Sequence, residues 1–494
     1  MQKKVIVVGG GIAGLSAGVY AAKCGFNATV IENHSIAGGN CTSWRRKDYL
    51  FEGGMHWLTG SGEKEYINRS WRYIGALDDS VKILTPEPFI EYDYNGTPIK
   101  FYRDVDKTEQ HFLEIAPEDS KEIKRFCNNI RKVKNLSMPL FDLKGVEVTK
   151  KTHPSLSLLF TAITAGTIMS RFARITKEEY LNRFKNEGLK AALSSCLSEK
   201  TGVLPIFFTL GTLSRGDGGF PEGGSLPFVE RIVEKFTSLG GELLLGTRVT
   251  KVIVENNKVV GVIADDKRLD ADAVIIAADT MAIDNLFDIP LKSEWLDRMK
   301  KVTEPTMAVL ISLGINADLR KYNKGLIFKT DETISIDKQK YDYISVNNYA
   351  NDSHYSPPGK SAITIGLDGD TYDFWKKARE LGNYTDEKKR VADLVIEAIS
   401  KAIPEIKGNV EVVDVATPLT YERYCGNWKG SWMTEMVPSM KMDSYPAVIE
   451  GLSGLYFAGQ RMMPPGGLPV ALSSARTAVQ YLCRDTDTIF ISED

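Results

Sequence analysis

A chain of 494 residues, 43% hydrophobic and 26% charged, is too long for one simple domain and ordinary in composition for a globular protein, so two domains are expected. Lys and Arg number 62 against 64 Asp and Glu, a formal net charge of -2, which excludes the basic footprint of a nucleic-acid partner. The six cysteines (Cys24, Cys41, Cys127, Cys196, Cys425 and Cys483) form no CxxC and stand at no metal spacing from the five scattered histidines, so reduced thiols, a cytoplasmic location and no metal site are expected.

The chain opens on an apolar run, Lys3-Lys4-Val5-Ile6-Val7-Val8, that predicts a buried strand entered directly, with no signal-peptide pattern before it. Gly9-Gly10-Gly11-Ile12-Ala13-Gly14 follows, then an Ala-rich helical run to Lys23 and a second strand, Ala28-Thr29-Val30-Ile31, ending in Glu32-Asn33. A dinucleotide requires this order: Gly9 for the tight turn, Gly11 for backbone approach to a pyrophosphate, Gly14 for close helix–strand packing. The helix N-terminus, at Ile12 and Ala13, offers N–H groups and a partial positive charge to the phosphates. Glu32 can accept from the adenosine ribose hydroxyls, and its charge disfavours a 2′-phosphate. A Gly38-Gly39 pair follows.

Residues 89–102 alternate in strand fashion around Asn95-Gly96, a hairpin turn signal, and helical patterns run from about Glu118 to Lys134. The apolar run 155–169, flanked by Lys150, Lys151, Arg171 and Arg174, is too short to span a bilayer. It fits a buried helix of a second domain and also an interfacial helix in peripheral membrane contact. Further on, Gly218–Ser225 is a Gly-rich turn before an amphipathic helix, and Thr247-Arg248-Val249 opens a hairpin turning at Asn256-Asn257. Ala273-Val274-Ile275-Ile276-Ala277-Ala278-Asp279 is a buried parallel strand by its continuous apolar run. Strands return at Met307–Ile315, Tyr341–Asn347 and Ala362–Leu367, with a charged helix near 386–402.

Tyr421–Trp432 is rich in aromatics, which suits either a lipid pocket or interdomain packing. Gly454–Gln460 then reads as a strand and turn, and Pro464-Pro465-Gly466-Gly467-Leu468-Pro469-Val470 as a turn into a helix with one apolar face. Its glycines permit close backbone approach, and its helix N-terminus would stabilise negative charge on a bound ring.

Gly38-Gly39-Asn40-Cys41-Thr42-Ser43 resembles the second glycine motif of the FAD-dependent superfamily of amine oxidases, phytoene desaturases and Rab GDP-dissociation inhibitors, with Asn40 where a basic residue is usual. Phe51-Glu52-Gly53-Gly54-Met55-His56-Trp57 resembles the retinol saturase segment that runs beside the flavin, with Glu52 in place of Asp. Gly454–Ala478 resembles the closing motif of bacterial carotenoid desaturases. The resemblance to the phytoene desaturase, carotenoid isomerase and retinol saturase family covers most of the FAD-binding parts and is weak across 86–205 and 303–413. It implies an α/β fold with a Rossmann-like FAD-binding domain (1–85, 206–302 and 414–494) interleaved with an α+β substrate domain (86–205 and 303–413). The arrangement is the glutathione reductase/p-hydroxybenzoate hydroxylase-like, amine oxidase type.

It further implies FAD contacts at Gly9, Gly11, Ile12, Ala13, Gly14, Glu32, Asn33, Gly38, Gly39, Asn40 and Thr42. Gly54, Met55, His56, Val249, Ala277, Gly459, Gln460, Gly467, Leu468, Pro469 and Val470 complete that set. The expected reaction is hydride transfer between flavin N5 and an apolar lipid or polyene, as desaturation, saturation or isomerisation. His56 is the candidate for proton transfer, with hydrogen bonding to flavin or backbone as its other reading. A flavin amine oxidase and a non-catalytic lipid- or prenyl-binding protein on the same scaffold are the alternatives.

Overall fold

The computed structural model describes residues 2–138, 140–151, 156–197, 200, 202–438, 440 and 443–493, with backbone alone over 156–162. Five parallel strands form one sheet, in the order Leu455–Phe457, Ala273–Ile276, Lys4–Val8, Asn27–Ile31, Glu242–Leu244. Val7 lies opposite Ile275 on one side and Val30 on the other. Side chains alternate across a strand, so each apolar run feeds two cores. Val5, Val7, Val30 and Ile275 pack under the helices Ile12–Lys23, Ser225–Ser238 and Leu468–Asp485. Ile6, Val8, Val274 and Ile276 pack instead against the antiparallel three-stranded sheet of Val249–Glu255, Lys258–Ala264 and Lys267–Asp270. Burial on both faces is why these strands carry almost no polar residues.

A second, seven-stranded sheet runs Val410–Ala416, Ala308–Ile315, Ser361–Asp368, Gln339–Asn348, Gly325–Ile336, Ile90–Tyr94, Thr97–Phe101. The last two strands form the hairpin expected at Asn95-Gly96, where both residues take positive φ, 52° and 81°, as a two-residue turn matched to strand twist demands. Helix Tyr384–Ala402 covers one face through Val391, Val395 and Ile399. A helical cluster built on Phe112, Phe126, Phe172 and Phe207 abuts the hairpin end. Residue 155 of the apolar run lies outside the described residues, and the rest of the run lies in helix Leu156–Phe172, whose Ala165, Ile168 and Phe172 join that cluster while Ile163 is 67% exposed. No helix among the described residues is long and apolar enough to cross a membrane.

Candidate active site

One continuous cavity of about 1410 Å³ runs between the carboxyl ends of the parallel strands and the second sheet. Ligand sites of typical size hold some 300–1,000 Å³, so the volume suits a dinucleotide with a further chamber beyond it.

At one end stands the first strand–turn–helix. Gly14 must be glycine, because a Cβ there would lie 1.8 Å from the Gly9 carbonyl oxygen. The helix Ile12–Lys23 starts at Gly11 with no side-chain cap, so its first N–H groups are free to meet an anion at the cavity wall. Glu32 accepts from the Gly10 N–H at 2.6 Å and the His34 N–H at 2.7 Å, which fixes the carboxylate at the strand end, on the cavity wall. Asn33, Val249 and Ala277 share that wall.

At the other end the helix Leu468–Asp485 begins at Gly467, again uncapped, with Leu468 and Pro469 on the cavity. Beside it the amide oxygen Oε1 of Gln460 is buried and has no hydrogen-bond partner among the described residues. A third helix N-terminus, Ser225–Ser238, does not reach the cavity, because Glu52 takes it. Buried Glu52 accepts from the Ser225 N–H and hydroxyl, the Gly54 and Met55 N–H groups, and the hydroxyls of Ser43 and Tyr355. This web presses the 53–56 segment against Asn40, whose carbonyl oxygen would lie 2.0 Å from a Cβ on Gly54. The Glu52-for-Asp replacement thus fills a fully bonded structural position.

Two cofactor-side turns are braced by a buried bidentate ion pair. Arg461 Nε and Nη2 donate to Asp279 at 2.6 and 2.9 Å, with the two side chains 1% and 2% exposed. Asp279 also accepts from the Trp428 and Met281 N–H groups. The aromatic segment lies on the cavity and also bonds to the 40–53 region. Tyr421, Tyr424 and Trp432 line the cavity, while the Tyr421 hydroxyl donates to the Gly53 carbonyl and Asn427 donates to Asn40. Burial pushes the thiols of Cys41 and Cys425 up to about 12, so neither is a nucleophile.

Gly9, Gly11, Ile12, Ala13, Glu32, Asn33, Gly38, Gly39, Asn40, Gly54, His56, Val249, Ala277, Gly459, Gln460, Gly467, Leu468 and Pro469 come together on this one wall. Gly14, Thr42, Met55 and Val470 do not; Met55 and Val470 are buried behind it. His56 faces the cavity. Although its ring is accessible from the cavity, the protein atoms packed around it desolvate the imidazole and lower its pKa, opposed by the Glu52 charge and reinforced by Lys324, so the neutral form is favoured at pH 7. Sequence reasoning missed Lys324 and Arg103, both on the wall of the inner chamber. Each is a cation in a polar stretch, with no local signal of burial.

Two uncapped helix N-termini and a fixed carboxylate on one cleft, with the unpaired Gln460 amide oxygen buried beside it, fit FAD. Comparison with known proteins agrees. Prolycopene isomerase 2, chloroplastic, of an Oncidium hybrid cultivar is 24% identical, over 96% of this chain and 82% of that protein. The 4,4'-diaponeurosporene oxygenase of Staphylococcus aureus (strain MRSA252) is 22% identical over 98% and 99%. Among solved structures, cyclohexylamine oxidase from Brevibacterium oxydans IH-35A superposes with a TM-score of 0.62 at 14% identity, covering 99% of this chain and 100% of that one, which shows the shared fold. The flavin-containing amine oxidoreductase family matches residues 12–483, and the chain belongs to it as an FAD-dependent oxidoreductase.

Proposed function

We propose that this oxidoreductase acts on CH–CH or C=C bonds of an apolar lipid or polyene of carotenoid or retinoid type. The observation that carries the reading is the inner chamber. Beyond the Gly54–His56 segment the cavity continues between Trp57, Phe89, Ile90, Ile206, Phe208 and Leu210, an apolar passage continuous with the cofactor cleft. Bound FAD supplies a two-electron hydride carrier at its ring. The protein's part is to exclude water, align the chain and manage one proton. Neutral His56, whose ring makes no hydrogen bond among the described residues, is the proton carrier in this reading. Relatives named prolycopene isomerase and all-trans-retinol 13,14-reductase support the substrate class. Exposed Ile163, with Arg171 in the last turn of helix 156–172 and Arg174 just past its end, supports peripheral membrane contact for collecting such a substrate.

The test is anaerobic mixing of the FAD-loaded protein, in its oxidised and in its reduced form, with a panel of polyenes, beside an aerobic assay of the oxidised protein with primary amines. Flavin reduction with a product losing two hydrogens, flavin reoxidation with a product gaining two hydrogens, or a change of double-bond geometry supports the reading. Turnover of primary amines with oxygen uptake and peroxide release, and no response of either flavin form to any polyene, refutes it.

A further inference from the structure

Two cations stand in the wall of the inner chamber with no carboxylate bonded to either. Lys324 lies on the turn leading into the strand Gly325–Ile336. Its ammonium is buried, and none of its N–H groups finds an acceptor among the described residues. It rests only on the ring faces of Phe220 and Tyr349, 4.1 and 4.0 Å from their centroids. Arg103, 8% exposed, follows the strand Thr97–Phe101, and both its side-chain hydrogen bonds go to main-chain oxygens, those of Asp217 and Gly218.

The neighbouring carboxylates have donors of their own: Glu87 accepts from the Arg103 main-chain N–H at 3.3 Å, and Asp352 from the Gly223 and His354 N–H groups. Glu52 is saturated by its web of six donors. Asp217 accepts from the Gly60 and Gly62 N–H groups and the Ser61 hydroxyl. A buried charge with unsatisfied donors costs several kcal/mol. A ligand bearing an oxyanion would offset that cost.

We propose that the inner chamber receives an apolar chain ending in a carboxylate, with the head taken by Lys324, Arg103 beside it, and the chain along Trp57, Phe89 and Phe208. This rests on the polyene or lipid reading above and narrows its substrate class to an acid. Burial already holds Lys324 down at about 8, against the opposing pull of Glu52 and Asp352. The ammonium is therefore charged at pH 7, and a bound anion would restore its charge-assisted bonding.

The experiment titrates all-trans-retinoic acid and all-trans-retinol, one polyene with two heads, into the FAD-loaded protein. Flavin absorbance and tryptophan fluorescence report binding. The acid is expected to bind at least tenfold tighter than the alcohol at pH 7, with the preference fading as pH rises through about 8. Lys324→Met, with Lys324→Gln as a second variant, should remove the preference and leave retinol binding within threefold. Equal binding of acid and alcohol by the unaltered protein overturns the proposal, as does a preference that survives in both variants. Retinol bound without preference overturns the acid head alone, whereas no binding of either polyene overturns the apolar-substrate reading as well.

Discussion

Breaking the Arg461–Asp279 pair is the sharpest test of how the cleft is held. The two side chains are 1% and 2% exposed, and Asp279 collects four donors: Arg461 Nε and Nη2, and the main-chain N–H groups of Met281 and Trp428. Asp279→Ala removes all four acceptor contacts and leaves Arg461 buried with only the Ser431 hydroxyl and the Met433 carbonyl. Removing one partner of a buried pair costs about 3–5 kcal/mol. At about 2 °C per kcal/mol for a cooperative unit of roughly 250 residues, the melting temperature falls by ~6–10 °C. Because the pair ties the turn after Ala277 to the turn after Gly459, both on the cofactor wall, FAD affinity should fall with stability. Arg461→Met combined with Asp279→Ala should cost less than the Asp279→Ala change alone, because no buried charge is left over. Thermal unfolding by circular dichroism, with flavin release followed by fluorescence, measures both effects. A loss under 1 kcal/mol with FAD retained, or a double variant as damaged as the sum of its singles, would refute the reasoning.

Gly14→Ala should abolish FAD retention, because its Cβ would sit 1.8 Å from the Gly9 carbonyl oxygen; a yellow purified variant would contradict this. Glu52→Gln places an amide N–H₂ among six donors and should cost about 2–3 kcal/mol, read from thermal unfolding, since bonds to a charged acceptor are worth 1.5–3 kcal/mol each. His56 has a folded pKa below its unfolded value, so it binds protons more readily unfolded. Its contribution to stability is present above the unfolded value near 6.5 and is lost as pH falls below it. His56→Gln should therefore flatten the stability profile between pH 5 and pH 7, about where imidazole titrates. Desolvation on the cavity wall, with Glu435 nearby, raises Asp368 from 3.8 to about 6. Its neutral form is thus the one the fold favours, and Asp368→Asn should stabilise the cofactor-free protein at pH 7, with the gain vanishing as pH falls to 3.8; equal stability of the two proteins at pH 7 would count against that environment.

Much of the cofactor cleft was legible in the chain because its requirements are local. Gly9 to Gly14, Glu32, Gly38-Gly39 and the turn into Leu468 each encode a backbone shape within a few residues. Shape of that kind shows in residue type: a turn with positive φ, a close approach, an uncapped helix start. That Val5, Ile6, Val7 and Val8 form a buried strand was legible for the same reason, since a continuous apolar run is local; their division between two cores shows only in the fold. Gly14, Thr42, Met55 and Val470 were drawn into the contact set by their neighbours in sequence, yet the structure turns them away from the cavity. Adjacency in the chain does not set which side of a turn faces the ligand.

The inner chamber was decided by tertiary structure alone. Lys324 reads as one more charge in Lys321-Tyr322-Asn323-Lys324, and Arg103 as a polar residue after a hairpin. Their burial depends on Phe220 and Tyr349, and on the 217–218 carbonyls, which the fold brings from far along the chain. The sequence by itself determined that the cofactor is a dinucleotide, because phosphate and ribose recognition is built from short backbone motifs. What the cleft does beyond the ring was left to the packing of distant segments, because the energy of a buried charge is set by its surroundings and not by its neighbours in the chain.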